Sequence, residues 1–349
     1  MATAEQNLAV EIWEEPVRGG YPPEWLMALP WPERSKAWEE VSLPPPIAHL
    51  LGARPLDADP GGEAVGTMPA SPWLCSPQGR IPLGAIAIVA DLAFGMALGA
   101  TLPPGGGFTT AELSLTRVRE PQVGGTLSAH GRLVHGGDRS ALTEVKVYDG
   151  TEALVAAGTS RLAVFPPLGD LPPVPDAWEP VVWPTYDTPD PWEREPEGEV
   201  LDAEVWSGRS GLEVLRAHVV GELPVPPIGR LTGLRITDVA ESSATVTMPA
   251  TEWFCTPART VQGGVTALIA DTALACAIQT TVDRGDSFLP VDIKVNHLRP
   301  VFADGRDLVA EAAVTHRGRS IAVAHATVRN ADGKPVAVAT GSALIGDSQ

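Results

Sequence analysis

The sequence predicts an α+β protein in which an antiparallel β-sheet curls around a long central helix, and it predicts this unit twice. Two observations carry the prediction. The chain of 349 residues repeats itself at a distance of about 180 positions, which fixes the architecture before any motif is considered. Within each copy one apolar helix comes first and four strand-like segments follow, without the alternation of strands and helices that a parallel sheet requires.

The repeat is visible in matched segments. Residues 68–77 (MPASPWLCSP) match residues 248–257 (MPATEWFCTP), and Asp91 and Asp271 lie 180 positions apart in similar apolar surroundings. We therefore divide the chain into four predicted segments: a leader rich in proline and tryptophan (1–43), a first domain (44–165), a linker rich in proline and acidic residues with a short helix (166–225), and a second domain (226–349).

The elements of each copy follow from hydrophobic periodicity. The first long helix is predicted over residues 85–98, and because apolar residues surround nearly its whole circumference it should be wrapped on most sides. A serine-capped short helix is predicted over 210–220. Strands are predicted where residues alternate or are β-branched between turns. They span residues 112–118, 127–133, 141–148 and 154–165, and then 291–298, 308–315, 320–329 and 336–345.

The composition excludes several classes of function. The chain has 25 Lys and Arg against 43 Asp and Glu, a net charge of −18, so nucleic acid is not an expected partner, because binding it requires a basic face. Three widely spaced cysteines indicate neither a disulfide framework nor a metal site. Together with an acidic start that lacks a secretory signal, they predict a cytoplasmic location.

Two apolar stretches, residues 81–102 and 261–282, are long enough to span a bilayer. Each carries an aspartate near its middle, which costs several kcal/mol in lipid. Strand-like segments follow both. We therefore predict core helices and no membrane partner.

The start of the second long helix offers a binding site for a ligand oxygen. The segment Gln262-Gly263-Gly264 places a glycine pair where backbone N–H groups have no partner within the helix. Asp271 and Asp91 project from apolar helices, where burial raises the pKa of a carboxyl group and favours its use as a base or a nucleophile. The alternative from the residues alone is a structural carboxylate that caps a neighbouring loop.

These segments resemble the hotdog-fold thioesterases, and within them the phenylacetyl-CoA-type (PaaI-like) acyl-CoA thioesterases. Residues 262–264 (QGG), 268–273 (LIADTA) and 291–300 (VDIKVNHLRP) look like the family's His-Gly-Gly helix start, its catalytic Asp and the strand that runs on into a proline. The resemblance implies a tandem hotdog fold, with two units packed side by side as an intrachain pseudo-dimer, their sheets joined and the active sites at their interface.

In such a pair each site combines a glycine N–H from one unit with an aspartate and a hydroxyl from the other. The resemblance implies that Gly263 polarises a thioester carbonyl, that Asp91 acts as base or nucleophile, and that Thr110 orients water or the carboxylate. Gln262 stands where the family has His, and Gly264 is expected to contact substrate. The second site would combine Asp271 with Pro82, Leu83 and Pro290, which stand at the positions of Gln262, Gly263 and Thr110. Because these groups are replaced, the second site is less favoured.

The implied substrate is an acyl-CoA, so no cofactor is expected beyond the coenzyme A that the substrate carries. Its phosphates require local positive charge in an acidic protein. The candidate residues, for which an ordinary surface role is the alternative, are Arg80, Arg139, Arg259 and Arg319. A homodimer of the whole chain is a further expectation, since hotdog proteins commonly pair. The cysteines and histidines are assigned no catalytic role.

Two other functions are considered. One is a hydratase or dehydratase with two hotdog units, which requires an Asp/His pair near an Asn-Pro segment that the sequence lacks. The other is a protein that binds acyl-CoA or an aromatic ligand without turning it over. Turnover of a thioester separates the thioesterase from the binding protein.

Overall fold

A computed structural model describes residues 10–347 of the chain. Residues 1–9 of the predicted leader and the last two residues of the predicted second domain lie outside the described residues. Seven α-helices occur in the described part: α1 (Trp31–Val41), α2 (Pro46–Leu51), α3 (Leu83–Gly99), α4 (Ala203–Gly208), α5 (Gly211–Val219), α6 (Pro227–Thr232) and α7 (Gly263–Gln279).

Twelve strands among residues 10–347 fall into two sets of six. The first set is β1 (Arg54–Ala58), β2 (Glu63–Pro69), β3 (Gly107–Arg117), β4 (Thr126–Gly136), β5 (Ser140–Tyr148) and β6 (Leu154–Phe165). The second set is β7 (Arg235–Ala240), β8 (Ser243–Pro249), β9 (Asp286–His297), β10 (Asp307–Arg317), β11 (Ile321–Arg329) and β12 (Pro335–Asp347).

All twelve strands form one sheet in the order β1-β2-β4-β5-β6-β3-β9-β12-β11-β10-β8-β7. The two sets join where β3 runs antiparallel to β9, from the pair Glu112 and Asn296 to the pair Thr116 and Asp292. An ion pair between Lys294 Nζ and Glu112 Oε1, 3.6 Å apart, lies across this seam. The predicted α+β class with two units joined through their sheets is confirmed.

The predicted order of one helix followed by four strands was wrong in one respect, because two further strands precede each long helix. β1 is largely exposed and so lacks an alternating apolar pattern. β2 does alternate between buried and half-buried positions, but it contains Gly66 and ends at Pro69, two residue types that are rare in strands. The eight strands and the long helix predicted from periodicity all occur.

The long helices α3 and α7 pack against each other, and each begins against the middle of the other. A Cβ atom built on Gly84 would lie 2.6 Å from Leu268 Cα, and one built on Gly264 would lie 2.6 Å from Ile88 Cα. Only glycine permits so close an approach of two backbones. This crossing brings the N-terminus of each helix to the aspartate of the other.

The leader and the linker are more regular than predicted, since each has a segment that binds the equivalent tryptophan of one unit. Trp73 Nε1 donates to Arg194 O of the linker at 2.9 Å, and Trp253 Nε1 donates to Glu15 O of the leader at 3.2 Å. At these two tryptophans the leader lies on the second unit and the linker on the first, while Arg34 Nη2 of the leader also donates to Gly99 O of the first unit and the backbone N–H of Gly211 in the linker donates to Val282 O of the second. Trp183 of the linker is 58% exposed.

Other predicted features are found among residues 10–347. Helix α5 occupies the segment predicted as a short helix, and Ser210 and Glu213 cap its start reciprocally. The three cysteines are free and buried. In the described part of the chain no group of acidic, His or Cys side chains is placed to hold a metal ion, and no helix there is long and apolar enough to cross a membrane.

Candidate active site

The first candidate site is built around Asp91, in the middle of α3. Its Oδ1 accepts a hydrogen bond from Thr110 Oγ1 of β3 at 2.8 Å, and its Oδ2 accepts from the backbone N–H of Gly264 at 3.1 Å. Gly264 belongs to the first turn of α7, in the other unit. The carboxyl group is therefore held from both units, at the crossing of the two long helices.

Burial and hydrogen bonding act on Asp91 in opposite directions. Only 6% of the residue is exposed, and this burial raises the pKa of its carboxyl group above the usual range. The hydrogen bonds from Thr110, Gly264 and Gly263 lower the pKa and offset the rise only in part. A carboxylate destabilised in this way binds a proton more readily than one in water, which suits it to proton transfer.

Gly263 begins α7 and lies close against the carboxylate. A Cβ atom built on it would lie 3.1 Å from Asp91 Oδ2 and 3.4 Å from His297 Nε2, both tight contacts. The side chain of Gln262, the preceding residue, is turned to the other unit, where its Nε2 donates to Ile88 O at 3.2 Å. Gln262 thus ties α7 to α3, and it makes no hydrogen bond to Asp91 among the described contacts.

His297, at the end of β9, is a member of this site that the sequence analysis missed. Its Nε2 is buried and has no hydrogen-bond partner within residues 10–347. Burial lowers the pKa of His297 to about 4, so the imidazole is neutral at physiological pH. The repeat contains a signal for it, because the equivalent position of the first unit holds Arg117, a polar residue that also ends its strand.

The second candidate site, around Asp271 of α7, has the same backbone arrangement but different side chains. Asp271 Oδ2 accepts from the backbone N–H of Gly84 at 2.8 Å. Arg117 takes the place of His297, and its Nε donates to the backbone oxygen of Pro290 at 3.1 Å. Burial raises the pKa of Asp271, and the nearby charge of Arg117 opposes this rise. Within the described residues, no side-chain hydroxyl donates to Asp271.

The side chains that replace glycine and threonine at the second site form part of a large cavity. The cavity has a volume of about 500 Å³. Leu83, Asp271 and Pro290 line it, whereas Asp91 does not. The carboxylate with the fuller set of hydrogen-bond donors and the large cavity thus belong to different sites.

The four arginines proposed to meet coenzyme A lie in different places. Arg80 lines the cavity at an exposed position, and Arg259 lies over the ring of Tyr21 of the leader, 4.1 Å from its centroid. Arg139 and Arg319 are exposed beside the turns that lead into β5 and β11. Among residues 10–347, none of the four donates a hydrogen bond to either aspartate, and only Arg80 lines the cavity.

Comparison with known proteins identifies the fold and finds a family to which both units are similar. An acyl-CoA thioesterase II from Mycobacterium marinum superposes with a TM-score of 0.53 at 12% identity, over 87% of this chain and 98% of that one. The tesB protein of Mycobacterium avium subs paratuberculosis superposes with a TM-score of 0.52 at 14% identity, over 86% of this chain and 98% of that one. A conserved protein of unknown function with a hot dog fold from Alicyclobacillus acidocaldarius superposes with a TM-score of 0.54 at 12% identity, over 87% of this chain and 98% of that one.

At these identities the structural likeness establishes the hotdog fold of both units. No curated protein matches the sequence significantly. The family model described as the thioesterase superfamily matches two segments, residues 83–156 and 259–337, each of which starts at a long helix. The same family thus accounts for both copies of the repeat and confirms the predicted enzyme class of thioester hydrolase. Both copies of the repeat are thus similar to the thioesterase superfamily, in a protein of two hotdog units fused in one polypeptide.

Proposed function

We propose that the protein is an acyl-CoA thioesterase that hydrolyses its substrate at the Asp91 site. The observation that carries the proposal is the buried carboxyl group of Asp91, bound by Thr110 of its own unit and by the start of α7 from the other. The name of the Mycobacterium marinum neighbour, an acyl-CoA thioesterase II, supports the substrate class. The narrower assignment to phenylacetyl-CoA-type enzymes stays a prediction.

In the proposed reaction the thioester carbonyl approaches Gly263, where a side chain would crowd Asp91 and His297. The Gly263 N–H exchanges its hydrogen bond to Asp91 for one to the carbonyl oxygen and stabilises the negative charge that develops on that oxygen. Loss of one such donor in other acyl-transfer enzymes costs about 2.7–4 kcal/mol of transition-state stabilisation. The N-terminal end of the α7 dipole adds to the same effect.

Asp91 supplies the base or the nucleophile, and both roles fit the geometry. As a base it takes a proton from water while the water oxygen attacks the carbonyl carbon. The C–S bond then breaks and the sulfur of coenzyme A leaves with a proton. As a nucleophile, Asp91 forms an anhydride that water cleaves in a second step. In either case the Thr110 hydroxyl fixes the carboxyl group through Oδ1.

His297 is proposed to take part where the family has a histidine at the helix start and this chain has Gln262. Its unpartnered Nε2 lies next to Gly263, on the side from which the carbonyl is proposed to approach. A neutral imidazole there binds the thioester or the attacking water through a hydrogen bond.

The second site lacks the groups that the reaction uses. Pro290 stands at the position of Thr110, Leu83 at that of Gly263 and Arg117 at that of His297. Asp271 retains the bond from Gly84, but no hydroxyl from the described residues orients it. We therefore assign hydrolysis to one of the two interface sites.

The test is the release of free thiol from acyl-CoAs with short, long, branched and aromatic acyl groups, by the purified full-length chain. The proposal predicts turnover of at least one class, reduced at least about 100-fold by Asp91→Asn. A folded protein that releases no thiol from any of them favours the non-catalytic binding protein instead. A cytoplasmic location and a homodimer belong to the same proposal, and fractionation and light scattering test them.

A further inference from the structure

The cavity beside Asp271 is large and is lined by both units and by the linker. Its volume of about 500 Å³ falls in the range of pockets that hold small-molecule ligands. Its walls come from the segment before α3, from α7 and β9 of the second unit, and from the linker helices α4 and α5. The linker residues in the wall include Trp206, Leu215 and His218.

Buried polar atoms without partners are concentrated in this wall. Trp206 Nε1, His218 Nε2 and Gln279 Nε2 are buried and have no hydrogen-bond partner among residues 10–347, and all three residues line the cavity. Gln279 itself is only 4% exposed. Buried polar atoms are normally paired, because leaving them unpaired costs free energy. Three in one cavity therefore indicate a binding partner within it.

The chemistry of these atoms defines what they bind. An indole N–H and an amide N–H₂ can only donate hydrogen bonds. Burial lowers the pKa of His218, which keeps its ring neutral and able to donate through one nitrogen. The two groups that can only donate, together with a histidine that can donate, favour a ligand with an acceptor, such as a carbonyl or carboxylate oxygen.

The rest of the wall is mostly apolar. Its aliphatic and aromatic members are well placed to contact a hydrocarbon chain or a ring. They include Leu215, Val219, Leu223, Ile228, Leu234, Ile236 and Phe288. The matching ligand therefore has an apolar body and an acceptor group at one end.

We propose that this cavity is a second ligand site, which binds a molecule with an apolar acyl or aryl chain and a terminal carbonyl or carboxylate oxygen without hydrolysing it. The candidate donors to the ligand are Trp206, His218 and Gln279, which line the cavity with buried, unpartnered nitrogen atoms. Pro290 and Leu83 deprive the neighbouring Asp271 of the hydroxyl and the glycine that the proposed hydrolysis at Asp91 uses. The site does not depend on the proposed hydrolysis, because its evidence lies in the cavity alone.

Calorimetric titration of the full-length protein with octanoate and octanamide tests the proposal. Neither compound is a thioester, so binding is measured without turnover and failure of the proposed hydrolysis would leave the result unaffected. We expect one of the two to bind, and their relative affinity identifies the preferred end group as charged or neutral. Trp206→Phe keeps the ring and removes the donor, and should weaken binding about 2- to 10-fold.

Trp192→Phe is the matched control. Trp192 Nε1 is also buried and unpartnered among the described residues, and it also belongs to the linker, but it does not line the cavity. This control should bind as the wild type does. A second variant, Ala275→Phe, places a ring in the cavity from α7 and should abolish binding while thiol release continues. Absence of binding by the wild type at millimolar ligand, or unchanged binding in both Trp206→Phe and Ala275→Phe, would overturn the proposal.

Discussion

The hydrogen bond from Thr110 to Asp91 allows a test in which the size and the pH dependence of the effect are both predicted. Thr110→Val keeps the shape of the side chain and removes the donor that lies 2.8 Å from Asp91 Oδ1. A hydrogen bond to a charged group is worth about 1.5–3 kcal/mol. Because this bond stabilises the ionised carboxylate, its loss raises the pKa of Asp91 further above the ordinary range.

The raised pKa of Asp91 in Thr110→Val determines how the loss of activity depends on pH. At acid pH, where the ionised fraction of Asp91 limits the rate, kcat/KM should fall about 10- to 100-fold. The loss should shrink as the pH rises and the carboxylate of the variant ionises. The assay is a pH profile of kcat/KM for thiol release, in which the acid limb moves to higher pH.

Two further variants complete this test. Thr110→Ser keeps the hydroxyl and should restore most of the wild-type profile. Thr143→Val makes the same chemical change at a fully buried threonine that donates to Ser160 O, away from both aspartates. It should lower stability without moving the acid limb. An unchanged profile in Thr110→Val, or an equal loss at every pH, would refute the proposed role of the hydroxyl.

Three other predictions concern neighbouring groups. Gly264→Ala puts a Cβ atom 2.6 Å from Ile88 Cα and should lower the free energy of unfolding by about 1–3 kcal/mol in a denaturant titration. Gly263→Ala, in contrast, should keep the fold and lower kcat/KM. Burial raises the pKa of Asp271, so ionisation destabilises the folded state as the pH rises, and Asp271→Asn should raise Tm at pH 8 but not at pH 3. Since burial lowers the pKa of His297 to about 4, an NMR titration should show no protonation of its ring between pH 6 and 8.

The repeat made much of the fold predictable. Once Asp91 and Asp271 are recognised as equivalent, the apolar helices around them must both be central, and a glycine pair at the start of one can reach the aspartate of the other. The β1 and β7 strands escaped prediction because their exposed residues carry no periodic apolar pattern. Strand pairing in the finished sheet, and not local preference, holds such segments in place.

The parts of the sites that the sequence did not predict depend on packing between distant segments. His297 lies in the segment 291–300 that resembles the family, but nothing in that segment shows that its side chain faces Gly263, and the crossing of the units brings both residues to Asp91. The cavity beside Asp271 arises because linker residues such as Trp206 meet the second unit there. The positions of the linker and the leader likewise depend on long-range contacts. Trp73 binds the linker and Trp253 binds the leader, and the spacing of residues along the chain does not predict either contact.

The most direct test of the central claim compares thiol release by two matched variants, Asp91→Asn and Asp271→Asn. Each replaces a buried carboxylate that accepts from the start of the opposite long helix, so both make the same chemical change in the same backbone setting. The claim that one interface site hydrolyses the thioester predicts that turnover is lost in Asp91→Asn and largely retained in Asp271→Asn. Loss in Asp271→Asn with retention in Asp91→Asn would contradict it and move hydrolysis to the large cavity.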